Sequence, residues 1–240
     1  MTKSGVGAPP DDVRYESRFY RCCNAASCGL RFPVTVGDKF HEVCPRCGAE
    51  VQLVARAVPE NDDGHVPAIP STSSGILHLL LDNWRSVFNV GAAFRTADGA
   101  GLGHLYLCGI TATPETQPKL AKTALGAEKD VSWSYHPDAV ELAELLQRSG
   151  VRIWVLERDS RSQSLFNSTF EPEDSPAVLV AGNELAGVDP ALVDMADRVV
   201  HLPMVGSKQS LNVAVALSIA SYWLRSQALA TRDAAIPTGK

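Results

Sequence analysis

From about residue 76 onward, short apolar runs alternate with amphipathic stretches, and this rhythm restricts the fold more than any other feature of the chain. Ile76–Leu81 (ILHLLL), His104–Cys108 (HLYLC), Val131–Tyr135, Val151–Leu156 (VRIWVL), Ala177–Ala181 (AVLVA) and Arg198–Leu202 read as strands bounded by turn residues. Between them, Val87–Ala100, Lys119–Leu125, Pro190–Met195 and Leu211–Gln227 read as helices, with a further helix opened by Pro137 and closed at Gly150. Strands that alternate with helices pack as a parallel sheet covered on both faces, so the class is α/β. Ligands of such sheets sit beyond the carboxyl ends of the strands, which singles out the loops after Ala181 and Leu202.

The rest of the 240-residue chain has a different texture. Residues 1–13 are small and polar and read as a disordered lead-in. Residues 14–58 hold the cysteines, and residues 59–73 (PENDDGHVPAIPSTS) read as a linker to a domain over 74–240. No apolar run is long enough to span a bilayer, and the N-terminus lacks the apolar core of a secretory signal, so a cytoplasmic protein is expected. The formal charge of −5 excludes a protein that coats nucleic acid indiscriminately, though not an enzyme with a local basic face.

Five of the six cysteines fall between residues 22 and 47. A secreted disulfide framework would spread them out, so the clustering points to metal. Cys44 and Cys47 form a C-P-R-C-G knuckle, and Cys28-Gly29 closes a second one. Two short-spaced thiolate pairs match a structural zinc ribbon, whose metal supplies folding energy to a segment too short to bury a core. Cys22 and Cys23 both have a workable spacing to Cys28; Cys23 is preferred, giving Cys23, Cys28, Cys44 and Cys47 as the ligand set. Arg14, Arg18, Arg21, Arg31 and Arg46 lie beside Tyr15, Phe19, Tyr20 and Phe32. They suit either an RNA grip by charge and stacking or plain packing of the ribbon.

Three stretches of the larger domain carry chemistry-bearing residues. In NWRSVFNVGAAFRTA, Asn89 and Arg95 flank small residues; in VAGNELAGVDP, Glu184 follows a buried strand within a Gly-rich turn; in LPMVGSKQSLNVAVA, Ser210 and Asn212 open an apolar helix. Glycine lets the backbone approach a flat ligand closely, and a polar Asn at the mouth of a buried helix needs partners. Taken singly, Ser210 reads as a helix cap, Asn183 and Glu184 as turn residues, and Arg95 as a surface cation. Two further patterns are decoys. Gly99–Gly103 imitates a dinucleotide fingerprint but follows a helix and precedes a strand, and Gly206-Ser207-Lys208 lacks the first glycine of a P-loop.

Together the three stretches resemble the SpoU branch of the SPOUT RNA methyltransferases. The matches are N-x-G-A-x-x-R-T-A at Asn89–Ala97, G-N-E-x-x-G at Gly182–Gly187, and P-M-x-G-x-x-x-S-L-N-V-A-V-A at Pro203–Ala216, with KTALGAE at Lys122–Glu128 beside them. The resemblance covers roughly residues 74–227. It implies a C-terminal trefoil knot that forms a cleft for S-adenosylmethionine at a homodimer interface, and methyl transfer to a ribose 2′-hydroxyl of tRNA or rRNA. By position, Val180, Ala181, Gly182, Asn183, Gly187, Leu202, Pro203, Met204, Ser210, Leu211 and Asn212 would hold the donor. Asn89, Arg95, Glu184, Ser210 and Asn212 would form the catalytic set. The sulfonium already activates the methyl group, so the transfer itself asks for no metal. Because a guanidinium stays protonated, Arg95 is expected to grip a substrate phosphate and ease loss of the 2′-proton. A non-catalytic RNA-binding protein of the same fold, or a transferase acting on a base, are the rival readings.

Overall fold

A computed structural model describes residues 17–35, 42–57, 77–171 and 176–235. The expected lead-in (1–13) and linker (59–73) lie outside them, as do Arg14 and Tyr15.

The cysteine-bearing segment is a three-stranded antiparallel sheet of β1 (Ser17–Cys22), β2 (Arg31–Thr35) and β3 (Val51–Ala57), in the order β2-β1-β3. Pro33 has no backbone N–H to donate, and it sits in β2, an edge strand, opposite Phe19. Phe19 and Phe32 are buried, so for these aromatics packing is the realised role.

The second sheet holds seven strands, β4 (Leu77–Asp82), β5 (Leu105–Cys108), β6 (Trp133–His136), β7 (Arg152–Leu156), β8 (Gln163–Ser164), β9 (Ala177–Ala181) and β10 (Arg198–His201). Their order is β6-β5-β4-β9-β7-β10-β8, and every pairing is parallel. The helices are α1 (Val87–Gly99), α2 (Leu120–Ala124), α3 (Ala127–Asp130), α4 (Ala139–Arg148), α5 (Pro190–Asp194) and α6 (Val213–Ala235). None of the described helices is long and apolar enough to cross a membrane.

The central strands explain the uninterrupted apolar runs. On β4, Leu77, Leu79 and Leu81 face the layer that includes α1 and α6, whereas Leu80 faces the α4 and α5 layer together with Val178 and Val180 of β9. A strand buried on both faces has no solvent side for polar residues to occupy, hence ILHLLL and AVLVA. The chain leaves β4 toward β5 on one side and leaves β9 toward β10 on the other. The gap between the carboxyl ends of β4 and β9 is therefore the switch point, and a crevice opens beside it, at the ends of β9, β7 and β10.

The sequence reading and the structure differ in places. α3, β8 and the short 3-10 turn at Leu165–Asn167 carry too few residues for a period to show. α6 begins at Val213 and not Leu211, because Asn212 stays outside as its cap: its Oδ1 accepts from Ala214 N–H at 2.9 Å and Val215 N–H at 3.3 Å. The apolar start of α6 suggests burial all round, but Val215, Ile219 and Tyr222 are exposed at 49%, 38% and 53%.

Candidate functional site

Glu184 organises the crevice. It follows β9 in a turn closed by paired backbone hydrogen bonds between Asn183 and Gly187, each 2.9 Å. Asn183 holds the turn from inside: Oδ1 accepts from Leu185 and Ala186 N–H, and Nδ2 donates to Asn83 O at 2.6 Å. Gly182 is obligatory, since a Cβ there would lie 2.2 Å from the Val188 nitrogen. Glu184 Oε2 accepts from Arg85 N–H at 2.8 Å, and Oε1 from Ser86 N–H at 3.0 Å and Asn89 Nδ2 at 2.9 Å. The carboxylate thus receives free amides at the start of α1, whose N-terminus favours negative charge. Asn89 Oδ1 in turn accepts from Asn212 Nδ2 at 3.1 Å. One hydrogen-bonded chain, Glu184–Asn89–Asn212, joins all three sequence stretches.

Burial works against ionisation of Glu184, but the Arg85 amide, the Asn89 side chain and the Ser86 amide outweigh it and hold its pKa below the ordinary 4.5. A carboxyl whose folded pKa is depressed gives stability that is full above the unfolded pKa and lost as pH falls through the folded one. Glu184→Gln keeps the shape but sets an NH₂ group against donors. It is expected to cost about 1–2 kcal/mol at neutral pH, with the gap from wild type narrowing as acid titrates the native carboxylate. Denaturant unfolding across pH reads this, and a gap that stays constant into acid contradicts it.

Beside this chain lies a cleft of about 370 Å³ lined by Gly182, Asn183, Glu184, Gly187, Leu202, Met204, Ser210, Leu211 and Asn212 among others. Of the expected donor-binding residues, Val180, Ala181 and Pro203 do not line it. Val180 and Ala181 are fully buried within β9, where they pack into the two core layers, and Ala181 O accepts from Trp84 Nε1 at 2.9 Å. Asn89 reaches the cleft only through Glu184 and Asn212. Arg95 does not line the cleft: it is exposed on α1, six residues or about 9 Å of helix rise beyond Asn89, with no hydrogen-bond or ion-pair partner among the described residues.

The sequence reading missed Leu156, Glu157 and Arg158, which line the same cleft from the end of β7, and His201 at the end of β10. The carboxyl-end rule that singled out the loops after Ala181 and Leu202 applies equally to β7 and would have found the first three. Glu157 Oε2 accepts from Val188 N–H at 3.0 Å, bracing the Glu184 turn from behind, and burial raises its pKa.

In the smaller sheet, the Sγ atoms of Cys22, Cys28, Cys44 and Cys47 lie within 4.8 Å of one another. Cys23, the preferred ligand, is exposed, and Cys22 takes its place. Cys22 ends β1, and successive side chains of a strand point to opposite faces, so only one of two adjacent cysteines can turn inward. Four thiolates about 2.3 Å from a zinc ion stand about 3.8 Å apart. Cys22–Cys47 is 3.5 Å and Cys28–Cys44 is 3.7 Å, and all four cysteines are free of disulfides. Burial pushes the Cys22 thiol up to about 12 and raises Cys28, while the Ala49 amide, then Cys22, lowers Cys47 to about 7. A buried thiol set holds negative charge only beside a cation, so the donor set fits a closed structural zinc site.

The module's arginines turn toward the larger domain. Arg31 is buried and makes a two-pronged pair with Asp189, Nε to Oδ2 at 2.5 Å and Nη2 to Oδ1 at 2.9 Å. Arg21 pairs with Asp138 at 3.4 Å and with Glu141, and Arg46 donates to the Tyr135 hydroxyl at 2.9 Å. These contacts dock the module on the larger domain.

A parallel sheet with a crevice at the carboxyl ends of its strands, Gly-rich walls and a polar relay beside it defines an α/β domain built to hold a small flat ligand. The sequence model of the SpoU rRNA Methylase family matches residues 76–222, and the chain belongs to that family. It is 32% identical over 149 residues to the 23S rRNA (guanosine(2553)-2'-O)-methyltransferase RlmP of Bacillus subtilis, covering 61% of this chain and 57% of that one. It is 31% identical to the tRNA (guanosine(18)-2'-O)-methyltransferase of Aquifex aeolicus, covering 61% of this chain and 67% of that protein. Among solved structures, it resembles the AdoMet-bound rRNA methyltransferase of Sinorhizobium meliloti with a TM-score of 0.59 at 25% identity, over 66% of this chain and 58% of that one. The chain thus spans little more than half the length of several of the relatives it matches.

Proposed function

We propose that this chain transfers a methyl group from S-adenosylmethionine to a ribose 2′-hydroxyl of a structured RNA, tRNA or rRNA, in the cytoplasm. The observation that carries the reading is the Glu184–Asn89–Asn212 relay set against a cleft at the carboxyl ends of β9, β7 and β10. The names of the relatives support it. Gly182, Leu202, Met204 and Leu211 would hold the donor, which supplies an already activated methyl group. The chain's own task is to place the 2′-oxygen in line with that methyl and to ease loss of its proton. Both oxygens of Glu184 are occupied by donors, so it acts as a positioning residue for α1 and its own turn. Arg95, exposed and unpaired among the described residues, would grip a substrate phosphate and stabilise the developing oxyanion. Ser210 lines the cleft and would orient the third loop.

The reading includes the family's knotted threading and a homodimer. Val215 (49%), Ile219 (38%) and Tyr222 (53%) form an exposed apolar stripe along α6, and exposed Leu211 (41%), just before the helix, walls the cleft. A second copy seated on this stripe would close the donor site. The test is calorimetric binding of S-adenosylmethionine, sedimentation for the dimer, then methylation of total tRNA and rRNA. Labelled RNA that yields a nuclease-resistant dinucleotide supports the proposal. Methyl found on a base, or on no RNA, overturns it.

A further inference from the structure

A second cleft, about 470 Å³, lies between the four-cysteine module and the loop that follows β5. The module contributes Pro45 and Arg46; the larger domain contributes Ile110, Thr113, Gln117 and Tyr135. Its walls are fixed. Tyr135 Oη donates to Gly109 O at 2.8 Å and accepts from Arg46 at 2.9 Å, and Ile110 N–H donates to Asn83 Oδ1 at 3.1 Å. Thr113 and Thr116 lock the far side of the loop through a 3.0 Å hydroxyl pair and reciprocal backbone bonds.

The chemistry of the lining selects an occupant. Ile110 (38% exposed) and Pro45 offer an apolar shelf, and the planar Arg46 guanidinium lies 5.2 Å over the Tyr135 ring, leaving its other face available for stacking. The Gln117 amide has no partner among the described residues, so it can both donate and accept at a ligand's edge. Flat stacking surfaces with a two-way hydrogen-bonding group at the rim suit an unpaired nucleobase. Glu115 on the lining repels a phosphate, so the base and not the backbone enters.

Position gives the cleft a purpose. It opens at the carboxyl ends of β5 and β6, whereas the donor cleft opens at those of β9, β7 and β10, with β4 between. Strands stand about 4.8 Å apart, so the nearest strands of the two openings, β5 and β9, lie roughly 10 Å apart on one edge of the sheet. Exposed Arg85, Lys119 and Lys122, none with an ion-pair partner among the described residues, come from segments adjoining this edge in a chain of net charge −5. Local cations in an acidic protein mark where a polyanion passes.

We propose that this cleft is a nucleotide subsite that takes an unstacked base of the substrate RNA flanking the methylated residue. The four-cysteine module would then build one wall of an RNA-reading site at its junction with the domain. The proposal rests on the RNA methyltransferase reading, but its test separates the two. Full-length protein is photo-crosslinked to 4-thiouridine-substituted tRNA and rRNA, and the attached peptides are identified by mass spectrometry. Crosslinks at 45–46 or 110–117 are expected. Gln117→Ala and Ile110→Asp, both outside the module, are expected to weaken RNA binding about tenfold, the scale of one lost base contact, with S-adenosylmethionine affinity as in wild type. Crosslinks only elsewhere, together with wild-type RNA affinity in both variants, overturn the subsite even if methylation proceeds. Crosslinks at the cleft without any methyl transfer uphold it and remove the activity instead.

Discussion

Replacing Arg95 with Ala is expected to lower RNA methylation turnover by about a hundredfold or more, the usual loss when one stabilising donor for a developing oxyanion is removed. Arg95→Lys is expected to recover little of it. Lysine restores charge but not the planar fork that grips two phosphate oxygens at once. Binding of S-adenosylmethionine should be unchanged in both variants, because Arg95 is exposed on α1 and is not part of the cleft wall. Single-turnover methylation beside calorimetry of donor binding reads the two effects separately. Wild-type-like turnover in Arg95→Lys would reject the role, and a parallel loss of donor affinity would move Arg95 into the donor site.

The second large effect is structural. Arg31→Ala strands the Asp189 carboxylate, whose side chain is 1% exposed, and removing one partner of a buried ion pair costs about 3–5 kcal/mol. Asp189 carries more than the pair. Its Oδ1 accepts from Ala191 N–H at 2.9 Å to cap α5, and its N–H donates to Asp82 at 3.1 Å. Burial, then the charge of Asp189, pushes Asp82 up to about 7, so loss of Arg31 leaves two carboxyls facing each other without their cation. The double replacement Arg31→Met with Asp189→Asn is expected to recover much of the loss, since Asn still caps a helix and the stranded Asp189 charge is removed. Denaturant midpoints of wild type, single and double variants measure it. A single-variant loss below about 1 kcal/mol would show the pair to be solvated in solution.

How much of this was legible beforehand depended on range. Apolar runs bounded by turn residues gave β4 and β9 to within a residue, and α1 and α4 to within two, Asp138 and not Pro137 opening α4 as its cap. The motif around Glu184 was visible as a Gly-rich turn after a buried strand. Its partners were not, since Asn89 stands 95 positions away and Asn212 a further 123 from Asn89. The end of β7 was overlooked although the same carboxyl-end rule covers it.

The sequence by itself determined the α/β class, the two-part organisation and the loops that bear chemistry, because period, turn residues and cysteine spacing are local properties of a chain. Only the tertiary structure decided that Cys22 and not Cys23 faces the other three sulfurs. The choice depends on which side of β1 is inside, and strand pairing sets that. It alone showed Arg31 committed to Asp189 across 158 positions, which turns the cysteine module from a free appendage into a wall of the second cleft. A lone arginine in a sequence carries no mark of its partner; burial assigns one, because a desolvated charge must be met.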